Sequence, residues 1–145
     1  MIWLDEYKKL NDSEKEVFRS AICDEKEQIL ALEYDRMIAA VKRVADKPEE
    51  QISRHNGAFF NVIEDMVLSF ENEAYTISEK LYRLGLIDLQ SRELIVQIKC
   101  LFDDIGHNPN NDWSYDFLIR DTNWNRIRVL ANEVLLQNHS SSDFE

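Results

Sequence analysis

The chain has 145 residues, 28 of them acidic and 17 basic, for a formal charge of -11, and it holds only three Gly and two Pro. Leu, Ile, Val and Phe together make up about 30% of it, enough for one packed core and more than a disordered polymer carries. This excludes collagenous and low-complexity chains, and the negative balance argues against broad contact with nucleic-acid phosphates or an anionic membrane, both of which need Lys and Arg.

The residues Trp3, Leu4, Tyr7 and Leu10 recur at helical spacing, which suggests a short amphipathic turn or two at the start. Ser13 followed by Glu16 fits a capping box, so a long helix is expected from Ser13 to about Ala45. Its apolar stripe would include Val17, Phe18, Ala21, Ile22, Ile29, Leu30, Met37, Ile38, Val41 and Val44. Pro48 ends that run, and His55-Asn56-Gly57 is turn chemistry. From Phe59 the residues Ile63, Met66, Phe70, Ala74, Ile77, Leu81 and Leu84 follow at intervals of three or four, close to a heptad seam, and Gly85 supplies a left-handed cap.

Asp88 is placed to cap a third long helix through Leu94, Ile95, Ile98, Leu101, Phe102 and Ile105, with Gly106 just past its end. A loop through His107–Asp112 leads to a short helix near Trp113 and Phe117. A last helix then carries Trp124, Ile127, Ala131, Val134 and Leu135. The expected fold is all-α, an antiparallel bundle of four main helices with one or two short extra ones. It forms a single helical domain over residues 1–138, with a flexible tail at 139–145.

Cys23 and Cys100 are too few for a disulfide scaffold and lack a CxxC spacing. The amino terminus meets Asp5 and Glu6 without a basic or uninterrupted apolar region, and no stretch has the length or apolarity to span a bilayer, so a cytoplasmic protein is expected. Enzyme chemistry is sparse. None of His55, His107 and His139 has a Glu three positions earlier, as a di-iron bundle requires, and no glycine-rich phosphate loop or activated nucleophile is visible. Asp24 and Glu27 partly match the Mg²⁺-binding carboxylate pairs of helical nucleotide-processing enzymes, with Asp46 and Glu49 as the nearest companions. No cofactor or metal is expected.

What remains is surface charge, since each of the four main helical stretches is net negative. Anionic character concentrates at Asp24, Glu25 and Glu27, at Glu64 and Asp65, at Glu71 and Glu73, and at Asp103 and Asp104. Basic residues are interspersed, so no positive groove is expected. Asp112, Trp113, Tyr115 and Asp116 set aromatic groups among carboxylates, the combination interfaces use for anchoring and steering; Phe117 and Trp124 read better as core. In type the chain resembles the small, acidic, helical immunity proteins of bacterial colicins and contact-dependent toxins, a likeness of composition and class that no motif carries. It implies a non-catalytic inhibitor of a basic partner such as a nuclease toxin. The alternatives from other classes are a metal-dependent nucleotide-processing bundle enzyme and a helical scaffold or oligomerisation subunit.

Overall fold

The computed structural model describes residues 3–21, 24–53, 59–109 and 115–138, and every regular element among the described residues is helical. The expected all-α class is therefore what the chain adopts. The His55-Asn56-Gly57 turn, Cys23 and the 139–145 tail lie outside the described residues.

Helix α1 spans Trp3–Lys8 and α2 spans Asp12–Ala21. The start of α2 departs from expectation. The reciprocal cap is made by Asn11 and Glu14: the Glu14 N–H donates to Asn11 Oδ1 at 2.8 Å, and the Asn11 N–H donates to Glu14 Oε1 at 3.1 Å. Asn offers the same side-chain acceptor as Ser two positions earlier, and the helical ladder already begins with Lys15 N–H donating to the Asn11 carbonyl.

The single helix expected over 13–45 is two helices, because α3 begins only at Glu25 and runs to Ala45. Asp24 is extended, with φ -72° and ψ 175°, and its carboxylate accepts from the Glu27 N–H; a residue in that conformation starts a helix and cannot sit inside one. The apolar stripe is broken as well. No side chain of α2 is fully buried, and Val17 and Ile29 are 66% and 50% exposed, so α2 contributes only the half-buried Phe18 to the core, whereas α3 buries Leu30, Ala31, Tyr34, Met37, Ala40, Val41 and Val44.

Pro48 occupies the first position of α4, Pro48–Ser53, where its missing N–H costs nothing. The next stretch is continuous in space but changes pitch: α5 covers Phe59–Ser69, a π-helical segment Phe70–Tyr75, and α6 Thr76–Arg83. The expected seam is internal, with Ile63, Met66, Phe70, Ala74, Ile77 and Leu81 all buried, while Leu84 is exposed. Gly85 closes α6 at φ +74°, with its N–H donating to the Tyr82 carbonyl and the Leu86 N–H to the Leu81 carbonyl, the paired bonds of a Schellman motif.

Helix α7, Leu89–His107, starts on Asp88, whose Oδ1 accepts from the Ser91 N–H at 2.8 Å. Gly106 does not terminate it, contrary to expectation. The helix continues through His107 and stops at Asn108, which is extended at φ -74°, ψ 119°, because the ring of Pro109 disfavours helical backbone in the residue before it. Helices α8, Tyr115–Arg120, and α9, Thr122–Asn138, complete the described chain.

The long elements pack as a ring in which α3 touches α9 and the π segment, and α7 touches α9, α6 and the π segment. Side-chain links fix the directions. Arg43 reaches Asp65 while Lys80 reaches Glu33, so the 59–83 stretch runs against α3. Arg92 donates to the Tyr75 carbonyl while Lys99 pairs with Glu71, so α7 runs against that stretch. Ser91 Oγ accepts from Asn138 at one end of α7, and Phe102 meets Trp124 at the other, so α9 runs against α7. The buried cluster includes a chain of rings in which Phe70 lies 5.4 Å from Phe102 and Phe102 lies 5.3 Å from Trp124, centroid to centroid. Trp124 and Leu118 are fully buried and Phe117 packs against the core, in keeping with the core reading of Phe117 and Trp124. Among the described residues no helix is long and apolar enough to cross a membrane.

Candidate functional site

The acidic residues singled out in the sequence do not fall in one place: most lie in two regions, and Asp116 stands apart on α8. Asp24, Glu25 and Glu27 stand at the start of α3, away from the rest. Asp24 is engaged as a helix cap, and the positive end of the α3 dipole accommodates all three carboxylates, so their position is explained by the helix itself. Asp46 and Glu49 lie beyond the opposite end of α3, a helix of 21 residues and so about 30 Å long. The Asp24–Glu27 pair and its nearest companion in sequence, Asp46–Glu49, therefore stand at opposite ends of α3. Among the described residues no group of three His, Cys, Asp or Glu is arranged to hold a metal ion.

The second region is built by α5, the π segment and the last turns of α7. Glu71 and Asp103 are drawn together by Lys99, whose Nζ lies 3.4 Å from Glu71 Oε1 and 2.8 Å from Asp103 Oδ1. The hydrogen bond to Asp103 is the main reason that the Lys99 ammonium is held above its ordinary pKa, with burial opposing and the Asp103 and Glu71 charges adding. Asp104 follows Asp103 in the closing turns of α7, and Glu64 lies in the middle of α5, about two helical turns before Glu71. Glu64, Asp103 and Asp104 are all exposed, and among the described residues Glu64 and Asp104 have no ion-pair partner.

Adjacent acids in the sequence thus have different fates. Asp65 turns toward α3 and pairs with Arg43 Nη2 at 2.9 Å, while its neighbour Glu64 stays unpaired. Glu73 is half-buried on the π segment, with no ion pair among the described residues. Asp116 is exposed and pairs within α8 with Arg120 at 2.8 Å. Tyr115 begins α8, but its side chain, like Asp112 and Trp113, lies outside the described residues, so the aromatic anchor expected there has no geometry to report.

The helix dipole gives these placements unequal weight. Asp103 and Asp104 sit in the closing turns of α7, where the backbone already presents partial negative charge, and a carboxylate there costs about 0.3–1 kcal/mol. Asp103 is offset by Lys99; Asp104 is not. The acids are visible in the sequence as short runs, and the spacing of four from Lys99 to Asp103 is legible there too; the link from Lys99 to Glu71 joins two elements and is not. No protein-family model matches the chain, and no curated protein and no solved structure matches it.

Proposed function

We propose that the chain is a non-catalytic acidic binding protein that neutralises a basic protein partner by one-to-one association, and that the partner is a nuclease-type toxin whose cationic substrate groove the acidic end occupies. The observation that carries this reading is the exposure of Glu64, Asp103 and Asp104 from two helices at one end of the bundle, with Asp104 held unpaired where the α7 dipole opposes it. A charge that lowers the stability of its own helix is accounted for by what it does for a partner. Net charge of -11 adds a long-range field that speeds encounter with a cation-rich surface, and short-range contacts then set the lifetime of the complex. No substrate is turned over, and the protein acts as an immunity protein would.

The test is affinity capture from the native host followed by expression of the recovered partner with and without this chain. The expected result is a basic protein, toxic alone and harmless when co-expressed. Its association should be slowed by salt more than its release is hastened, and weakened by the pair Glu64→Lys and Asp104→Lys. Asp65 and Glu71 are poor sites for this test, because reversing them breaks the links to Arg43 and Lys99. Capture that is indifferent to the double reversal, or catalytic consumption of a metabolite by the purified chain, would overturn the reading.

A further inference from the structure

Although basic residues are interspersed in the sequence, the fold gathers three of its lysines on one cleft, which corrects the expectation that no positive groove exists. Lys8 ends α1, Lys15 lies in the first turns of α2, and Lys42 is on α3; all three line a cavity of about 360 Å³ between these helices and the end of α9. The register of α3 explains the juxtaposition, since Tyr34, Ile38 and Lys42 are spaced by four and stand on one face. Leu10, Ile38 and Leu135 give the cleft an apolar part.

The three ammonium groups are unequally satisfied. Lys15 pairs with Asp35 at 3.7 Å and lies 5.1 Å from the centroid of the Tyr7 ring. Lys8 is half-buried, and its close partners are neutral: Asn138 Oδ1 at 3.4 Å and the face of Tyr34, 5.1 Å to the centroid. Burial pushes its pKa down, and the more distant charges of Asp5 and Asp88 oppose that only in part. Lys42 is exposed, with no partner among the described residues. Asp12 is the one carboxylate among the lining residues, so cations outnumber anions there in a protein of strongly negative net charge. A desolvated ammonium without a close carboxylate is stabilised by any anion that enters beside it.

We propose that this cleft is a binding site for a small organic anion, whose phosphate head is held by Lys8, Lys15 and Lys42 and whose apolar body rests on Leu10, Ile38 and Leu135. The site is separate from the acidic end and owes nothing to the proposed partner, so either assignment stands or falls without the other. A bound anion ties α1, α2, α3 and α9 together and raises the melting temperature of the full chain by mass action.

Calorimetric titration and amide chemical shifts of the full-length protein test the assignment with phenyl phosphate, inorganic phosphate and benzyl alcohol as probes. Phenyl phosphate is expected to saturate one site and shift the amides of Tyr34, Ile38 and Asn138; inorganic phosphate should bind at least about tenfold more weakly, and benzyl alcohol not measurably. Lys42→Gln should weaken phenyl phosphate by about tenfold with an unchanged melting temperature in the absence of ligand, because Lys42 makes no contact that the fold needs. Lys26→Gln, on α3 but outside the cleft, should bind as the parent does. Absence of saturable phenyl phosphate binding up to about 10 mM, or equal binding by the Lys42 variant, would overturn the site. Equal affinity for inorganic phosphate would overturn the apolar half of the assignment.

Discussion

The Tyr7 hydroxyl donates to Asp35 Oδ2 at 2.5 Å and accepts from Arg19 Nη1 at the same distance, so one phenol joins α1 and α2 to the middle of α3. The Tyr7 ring is fully buried, whereas α2 buries no side chain of its own. Tyr7→Phe keeps the ring and removes the link, and hydrogen bonds to charged groups are worth about 1.5–3 kcal/mol. Urea unfolding of the variant should therefore show a stability loss of about that size at an unchanged m-value. Hydrogen exchange in α2 should rise more than in α7. A loss below about 0.5 kcal/mol would show that the ion pairs of Lys15 and Arg19 with Asp35 hold α2 in place without the phenol.

Stability should fall in alkali. Tyr7 and Tyr34 are both held well above the ordinary tyrosine pKa, in each case chiefly because burial disfavours the phenolate, with Asp35 reinforcing the effect. The folded chain keeps these protons after the unfolded chain has begun to lose them. Their contribution is complete below about pH 10 and declines as pH rises beyond it, by up to about 1.4 kcal/mol per pH unit for each group. Urea midpoints measured from about pH 8 to pH 11 should trace this decline, and Tyr7→Phe and Tyr34→Phe should each make it shallower. A profile equally steep in both variants would place the titrating groups elsewhere.

Gly85 sits at φ +74° between α6 and Asp88, with no atom within 4 Å of the position a Cβ would take. Space is therefore not the constraint; backbone conformation is. Gly85→Ala should cost about 1–2 kcal/mol, and Gly85→Asn less, because Asn tolerates the left-handed region better. Thermal melts of the two variants in parallel decide the matter, and equal losses would mean that the turn adjusts to any side chain.

Asp104→Lys should separate stability from binding. Removing an unpaired carboxylate from the closing turn of α7 and placing a cation there is expected to raise the stability of the isolated chain by about 0.3–1 kcal/mol. The same substitution should weaken capture of the basic partner, most steeply at low ionic strength. A variant both less stable and still competent for capture would contradict the account of the acidic end.

Local signals were legible in the sequence. Gly85 and Asp88 act within a few residues of themselves, so their roles follow from residue type, and the spacing from Ile63 to Leu81 identified the buried seam because its period is a local property of continuous helical chain. The break before Asp24 was hidden, since no Gly or Pro marks it and Asp24 also tolerates a helix interior. Gly106 misled because a helix can pass through glycine; the stop is set by Pro109 acting on Asn108. Charge was legible as composition only. Whether Asp65 or Glu71 is paired depends on Arg43 and Lys99, which come from other helices, and the lysine cleft joins positions 8, 15 and 42, which no local window contains.

Arg128 is buried on α9, and its guanidinium donates to the Leu118 carbonyl of α8 at 2.8 Å and to Gln51 Oε1 of α4 at 3.3 Å, while Gln51 Nε2 donates to the Arg43 carbonyl at 3.1 Å. Helices of six residues have too few internal bonds to persist alone. A single side chain therefore acts as a common latch for two segments far apart in the chain, and neither can come loose without disturbing the other.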